Sequence, residues 1–300
     1  MAFVDLVDFD CRRPRMHAPY PNHEHAITLY HNRTLEPQPF DFHLHQDLYE
    51  IYFFLSGDVH YFIEKQVYPL QHGDLLVMNS NELHRPNFRT PRQRYEVLVI
   101  HFDPRQAARF SSPHFDLLHC FTQRPPGENN RLRLNPHQIE DILRLYERMK
   151  ACAQPDAAPG ADILYVTAFI ELLVFINQAF SRQDEPQKNA HIPEKLSALL
   201  AYIDGHLDQD LSLETLESTF FMNRSYLCRL FKKHTGSTIH EHILFKRIAR
   251  AKSLLREGST VTDACQLSGF NDYSNFIRTF KKAVGLPPRQ YQALNGSTRS

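Results

Sequence analysis

The octapeptide RLFKKHTG at residues 229–236 returns as RTFKKAVG at residues 278–285, an offset of 49. The likeness extends backwards: NRSYLCRLFKKHTG (223–236) lies over DYSNFIRTFKKAVG (272–285) with six identities in fourteen positions. Each copy opens on a capping side chain, Asn223 or Asp272. Each closes on a glycine, Gly236 or Gly285, which tolerates the left-handed conformation beyond a helix end. Two short helices are therefore predicted. Leu227, Leu230 and Phe231 share one face of the first, as Phe276 and Phe280 do in the second. Ser225, Cys228, Arg229 and Lys232 fall on the other face, matched by Ser274, Ile277, Arg278 and Lys281.

A second short helix and a tight turn precede each copy. Ser212 caps LETLESTF before FMN, and Thr260 or Thr262 caps the helix through DACQLS before GFN. Helix, tight turn and second helix make a helix-turn-helix, here written twice. The units are joined by HEHILFKRIARAKSLLREG, residues 240–258, which keeps helical spacing. A helix of about 17 residues is about 25 Å long. It suits two reading helices set near the roughly 34 Å between successive turns of a major groove. Arginine pairs bidentately with guanine, and serine reaches base edges. Lys232, Lys233, Lys281 and Arg224 suit phosphate contacts, which position without reading sequence. The plainer alternative is a helical interaction domain built on a duplicated packing unit, its lysines forming a solvated face. Matching caps, turns and connector favour the reading helices.

Charge agrees with a polyanion partner for this end. From residue 193 onward there are 15 Lys+Arg and 10 Asp+Glu, while the rest of the chain has 19 and 24. Five cysteines, an odd number without a CxxC pair, indicate neither a disulfide framework nor a zinc ribbon and fit a reducing, cytoplasmic compartment. MAFVDLVDFD lacks the basic start of a signal peptide. The segment ADILYVTAFIELLVFINQAF (161–180) is interrupted by Asp162, Glu171 and Asn177, so a buried or dimer-forming helix is expected rather than a membrane span.

Residues 1–35 show little periodicity and read as an arm or irregular lead-in. From 40 to 103 come short β-rich runs, YEIYFFLSG, VHYFIEKQVYPL, GDLLVMN and YEVLVIHF, which suggest an antiparallel barrel or sandwich. Asn135 and Pro136 then open a helix in which Ile139, Ile142, Leu143, Tyr146 and Met149 recur at helical spacing. SRQDEPQKNAH (181–191) reads as a linker.

Two resemblances follow. YIDGHLDQDLSLETL, NRSYLCRLFKKHTG, FKRIARAKSLL and VTDACQLSGFNDYSNFIRTFKKAVGLPPRQY, over 195–294, resemble the C-terminal domain of AraC-type (AraC/XylS) bacterial transcription regulators. The resemblance implies double-stranded DNA and RNA polymerase as partners. It places base readers at Ser225, Cys228 and Arg229, and at Ser274, Asn275 and Arg278, with Tyr273 beside them. Glu217 and Cys265 stand where alanine is usual, and His242 where tyrosine is common. In the strand region, His43-x-His45, Glu50 and His84 resemble the metal motif of a cupin barrel, although Asn79 and Asn81 stand where proline and glycine are usual. Such a set would suit Mn, Fe, Ni or Zn, or an effector with hydroxyl groups, or serve as ordinary pocket histidines. His60, His72 and His101 read as surface or satisfied strand positions.

The fold class expected is α+β in two domains. An N-terminal cupin-like antiparallel β-barrel carries a helical dimerisation segment (1–180), a linker spans 181–192, and an all-α double helix-turn-helix domain follows (193–300). The function expected is a ligand-responsive, sequence-specific DNA-binding regulator. It is expected to be homodimeric, to sense a sugar or related small molecule without a required cofactor, and to control carbohydrate-utilisation genes. No nucleotide loop or GxSxG nucleophile supports an enzyme. The alternatives are a metal-sensing regulator or a cupin metal enzyme with a DNA-binding tail.

Overall fold

The computed structural model describes residues 27–37, 48–90, 92–154, 156–183 and 192–295. His43 and His45 lie outside these residues. The N-terminal half comprises strands β1 (Ile27–Thr34), β2 (Tyr49–Ser56), β3 (Val59–Ile63), β4 (Gln66–Pro69), β5 (Asp74–Met78), β6 (His84–Phe88) and β7 (Tyr95–Phe102), short helices α1 (Pro104–Ala108) and α2 (His119–Thr122), strand β8 (Arg131–Arg133), and helices α3 (Pro136–Cys152) and α4 (Ala161–Ser181). The C-terminal half is helical: α5 (Glu194–Gly205), α6 (Leu213–Phe220), α7 (Arg224–Thr235), α8 (Ile239–Arg256), α9 (Val261–Leu267), α10 (Tyr273–Val284) and α11 (Pro288–Asn295).

The strands form two antiparallel sheets, a large one in the order β1-β7-β2-β5-β8 and a small one in the order β4-β3-β6. Alternation explains how they stack. In β2, Ile51 and Phe53 point to one face and Tyr52 and Phe54 to the other, and all four are buried. β5 and β7 repeat this, with Leu75, Val77, Leu98 and Ile100 on the first face and Leu76, Met78, Tyr95 and Val97 on the second. A strand apolar on both faces belongs to a middle layer. The first face is covered by α3 and α4, the second by Tyr61, Ile63 and Tyr68 of the small sheet.

This layering overturns the expected cupin barrel. Consecutive strands β2 and β3 lie in different sheets, as do β5 and β6, and among the described residues no strand of one sheet pairs with a strand of the other. Among the described residues, edges remain at β1 and β8 and at β4 and β6, so the sheets are open and face to face. The segment read as an irregular lead-in also needs correction, because Ile27–Thr34 pairs with β7 along its whole length as β1.

Asn135 caps α3 through a capping box with Gln138, and Pro136 takes the first turn. Ile142, Leu145, Tyr146 and Met149 are buried against the large sheet and α4. Ile139 lies against Gly73, where an added Cβ would come within 2.2 Å of its Cδ1. α4 is long and apolar enough to cross a membrane, yet Tyr165, Phe169, Leu172, Leu173 and Ile176 are buried in this core. Ile163 and Leu164 face outward, 69% and 49% exposed. Each fully buried Leu, Ile or Phe of this core, unlike Ile163 and Leu164, contributes roughly 1.5–3 kcal/mol.

The C-terminal half has two small cores sharing α8. Leu196, Leu200, Leu216, Leu227, Phe231 and Ile243 form the first, and Ile248, Leu255, Ala264, Phe276, Phe280 and Tyr291 the second. At the turn after α9, Gly269 has φ +86 and sits against Leu207, where a Cβ would lie 1.9 Å from the carbonyl oxygen. Arg247 of α8 donates to the same oxygen at 2.9 Å and to that of Gln209 at 2.8 Å. These contacts fix the second unit against the first.

Candidate nucleic-acid interface and sensor interior

Both proposed reading helices are capped as their sequences require. Asn223 Oδ1 accepts from the Ser225 N–H at 2.8 Å, and Asp272 Oδ1 from the Asn275 N–H at 2.6 Å. Gly236 and Gly285 close α7 and α10 in the left-handed region. Leu227 and Phe231 anchor α7 inward, as Phe276 and Phe280 anchor α10. The opposite faces carry exposed Ser225, Arg229 and Lys232 on α7, with Lys233 beside them, and exposed Ser274, Asn275, Arg278 and Lys281 on α10.

Several expected contact residues have other engagements. Cys228 is half-buried against the first core, and Ile277 against the second. Arg224 pairs with Glu214 and, at 3.0 Å, with Glu217. On α10, Arg278 donates to Asn275 Oδ1 at 3.1 Å, so two of the expected readers are already oriented together. Tyr273 is 49% exposed at the start of the same helix. Sequence reading passed over Phe221. It closes α6 in the left-handed region at φ +52 and is 94% exposed, whereas Phe270, its counterpart at the offset of 49, is buried against Phe276.

A buried cluster of polar and aromatic side chains lies between the two sheets. Glu50, His84 and His101 meet there: His101 Nε2 is 2.9 Å and His84 Nε2 3.5 Å from Glu50 Oε2. Tyr61 donates to Glu50 Oε1 at 3.5 Å, and the Tyr52 and Tyr95 hydroxyls share a hydrogen bond at 2.8 Å. His84 Nδ1 is 2.7 Å from the Glu82 carbonyl oxygen, which fixes the ring. Burial alone would push the His84 ring down, but the Glu50 carboxylate and the Glu82 carbonyl outweigh it and hold the pKa above the ordinary value. Burial pushes the Tyr52 and Tyr61 hydroxyls well up, so both stay protonated.

Of the expected effector set, Glu50 and His84 are brought together. His101, read as a surface or satisfied strand position, is the partner sequence reading missed. The available signal was its period-two spacing from Val97 and Val99 in YEVLVIHF. Among the described residues no group of three or more His, Cys, Asp or Glu is arranged to hold a metal ion.

Two family models match the chain: one described as "AraC-like ligand binding domain" over residues 26–173, the other as "Helix-turn-helix domain" over residues 216–293. The probable transcriptional regulator LumQ of Photobacterium leiognathi is 35% identical over 33% of this chain and 41% of its own length. An uncharacterized HTH-type transcriptional regulator of Staphylococcus aureus (strain COL) is 24% identical over 80% of this chain. The chain spans only 31% of that protein's length. Among solved structures, ToxT from Vibrio cholerae matches at 14% identity over 90% of this chain and 99% of that chain, with a TM-score of 0.37.

Proposed function

We propose that the chain, whose two halves match an AraC-like ligand binding domain and a helix-turn-helix domain, is an AraC-type transcription regulator in which α7 and α10 read adjacent major grooves of one duplex under control of a small-molecule effector. The observation that carries this reading is the matched pair of exposed Ser/Arg/Lys stripes on two helices, each side-chain capped at its start, closed by a left-handed glycine and joined through α8. At 18 residues, α8 is about 27 Å long. Ser225, Arg229, Ser274, Asn275 and Arg278 take the base edges, and Lys232, Lys233 and Lys281 the phosphates.

Binding to a duplex selected from a random pool tests the assignment. Arg278→Ala is expected to cost about 1–3 kcal/mol on the selected site and to relax one base preference. Lys232→Ala is expected to weaken binding to every duplex alike and to make the salt slope shallower by about one unit. An unchanged affinity in Arg278→Ala would remove α10 from the reading surface.

The effector is proposed to be a sugar or related polyhydroxy molecule held between the sheets. Acceptors and donors at Glu50, His84, His101 and Tyr61, set among tyrosine rings, support that class. A thermal-shift screen of sugars, repeated on His84→Asn, checks it: a stabilising sugar whose effect persists in the variant lies elsewhere. A homodimer is proposed through the outward face of α4 at Ile163 and Leu164, and sedimentation velocity that finds only monomer rejects it.

A further inference from the structure

The small sheet is a wall one residue thick between the sensor interior and the DNA-binding half. Along β3, Tyr61 and Ile63 face the interior while Phe62 packs into the first core of the helical half. Along β4, Tyr68 faces inward and Val67 outward. At β6, His84 meets Glu50 inside, and its neighbour Leu83 joins the helical core outside. Because side chains alternate strictly along a strand, a shift of the inner residues carries the outer ones with it.

On the outer side the wall is tied to the helices by charge. Glu64, in the turn between β3 and β4, accepts from the Leu83 N–H at 2.7 Å and pairs with Lys246 of α8. Lys246 also pairs with Asp204 of α5 at 3.1 Å, and Lys65 pairs with Asp204 at 2.9 Å. The Glu64 and Lys246 side chains are only 5% and 16% exposed. Glu64 is itself held in the left-handed region at φ +54. Gly127 props it from behind and donates its N–H to Glu82, two residues before His84. Farther along α8, Arg256 donates to Asn81 at 3.1 Å.

We propose that this wall, with the Glu64–Lys246–Asp204–Lys65 cluster on its outer face, is the route by which occupation of the sensor interior regulates DNA binding; the proposal rests on the regulator reading above. α8 is the element that sets the separation of α7 and α10, so a grip on α8 acts on the geometry of both reading helices at once. A buried ion pair is not stretched gradually, because parting it leaves uncompensated charge away from water. Parting the pair would give the joint a second arrangement beside the closed one, as a switching element requires. An effector that displaces Glu50 or His84 moves β6, draws Leu83 and its bond to Glu64, and frees Lys246.

The test is a double-variant cycle on the affinity of the full chain for its selected duplex. Glu50→Gln removes the interior charge at constant volume, and Lys246→Met removes the outer tie. Glu50→Gln is expected to change affinity about tenfold in the parent and less than about twofold when Lys246 is already Met. Equal factors in both backgrounds, or no change on Glu50→Gln in the parent, overturn the proposal. If Glu50→Gln does not fold, Tyr61→Phe removes the hydroxyl that donates to Glu50 and completes the same cycle, with the same outcomes at a smaller factor. Arg278→Ala is carried alongside. If Arg278→Ala lowers affinity while Glu50→Gln does not, the coupling alone has failed; if neither does, the assignment of the reading helices has failed with it.

Discussion

His242 lies between Phe62 of β3 and Phe231 of α7, with ring centroids 6.2 and 5.3 Å away. Burial, with repulsion from Lys246 behind it, pushes its ring down to about 3. The unfolded chain returns it to about 6.5. The folded chain therefore binds fewer protons, and its stability is fully present above about pH 6.5 and lost as pH falls toward 3. Between pH 7 and pH 5 this single site accounts for about 2 kcal/mol. Urea unfolding of His242→Phe at both values is expected to show a loss smaller than the parent's by that amount. Phe221 gives a second test at this scale. Its left-handed backbone costs an L-residue about 1 kcal/mol and, at 94% exposure, it gains little packing in return. Phe221→Gly is expected to raise the melting temperature; a lower one would mean the ring stabilises the turn.

At the scale of elements, the second turn depends on Gly269. A Cβ there would meet the Leu207 carbonyl at 1.9 Å, at a φ that side chains rarely adopt. Gly269→Ala is expected to destabilise the helical half by about 2–4 kcal/mol, read by chemical denaturation. The helices were legible because their signals are local: Ser212, Asn223, Thr260 and Asp272 cap where their chemistry suggests. The sheets were legible as strands but not as an arrangement. YEIYFFLSG reads equally as barrel wall or middle layer, and only pairing to β5 and β7, with small-sheet tyrosines on one face and helices on the other, decides between them. β1 was missed because its His31, Asn32 and Arg33 interrupt the apolar alternation, and its order comes from β7. In the candidate site, Glu50 and His84 were visible as residue types, whereas His101 and the ties of Arg224 to Glu214 and Glu217 depend on tertiary proximity.

At the scale of the whole molecule, four layers stand in series: helices α3 and α4, the large sheet, the small sheet, and the helical half. α8 belongs to both cores of that half and carries Lys246 at the joint with the small sheet. The molecule thus places an aromatic, polar interior one strand away from α8, the helix that separates α7 from α10. Hydroxyl-radical footprinting of the full chain on its selected duplex tests the central claim most directly. The account predicts two protected segments on one face of the duplex, about 10 base pairs apart, one lost in Arg229→Ala and the other in Arg278→Ala. A single protected segment, or both segments lost together in either variant, would contradict it.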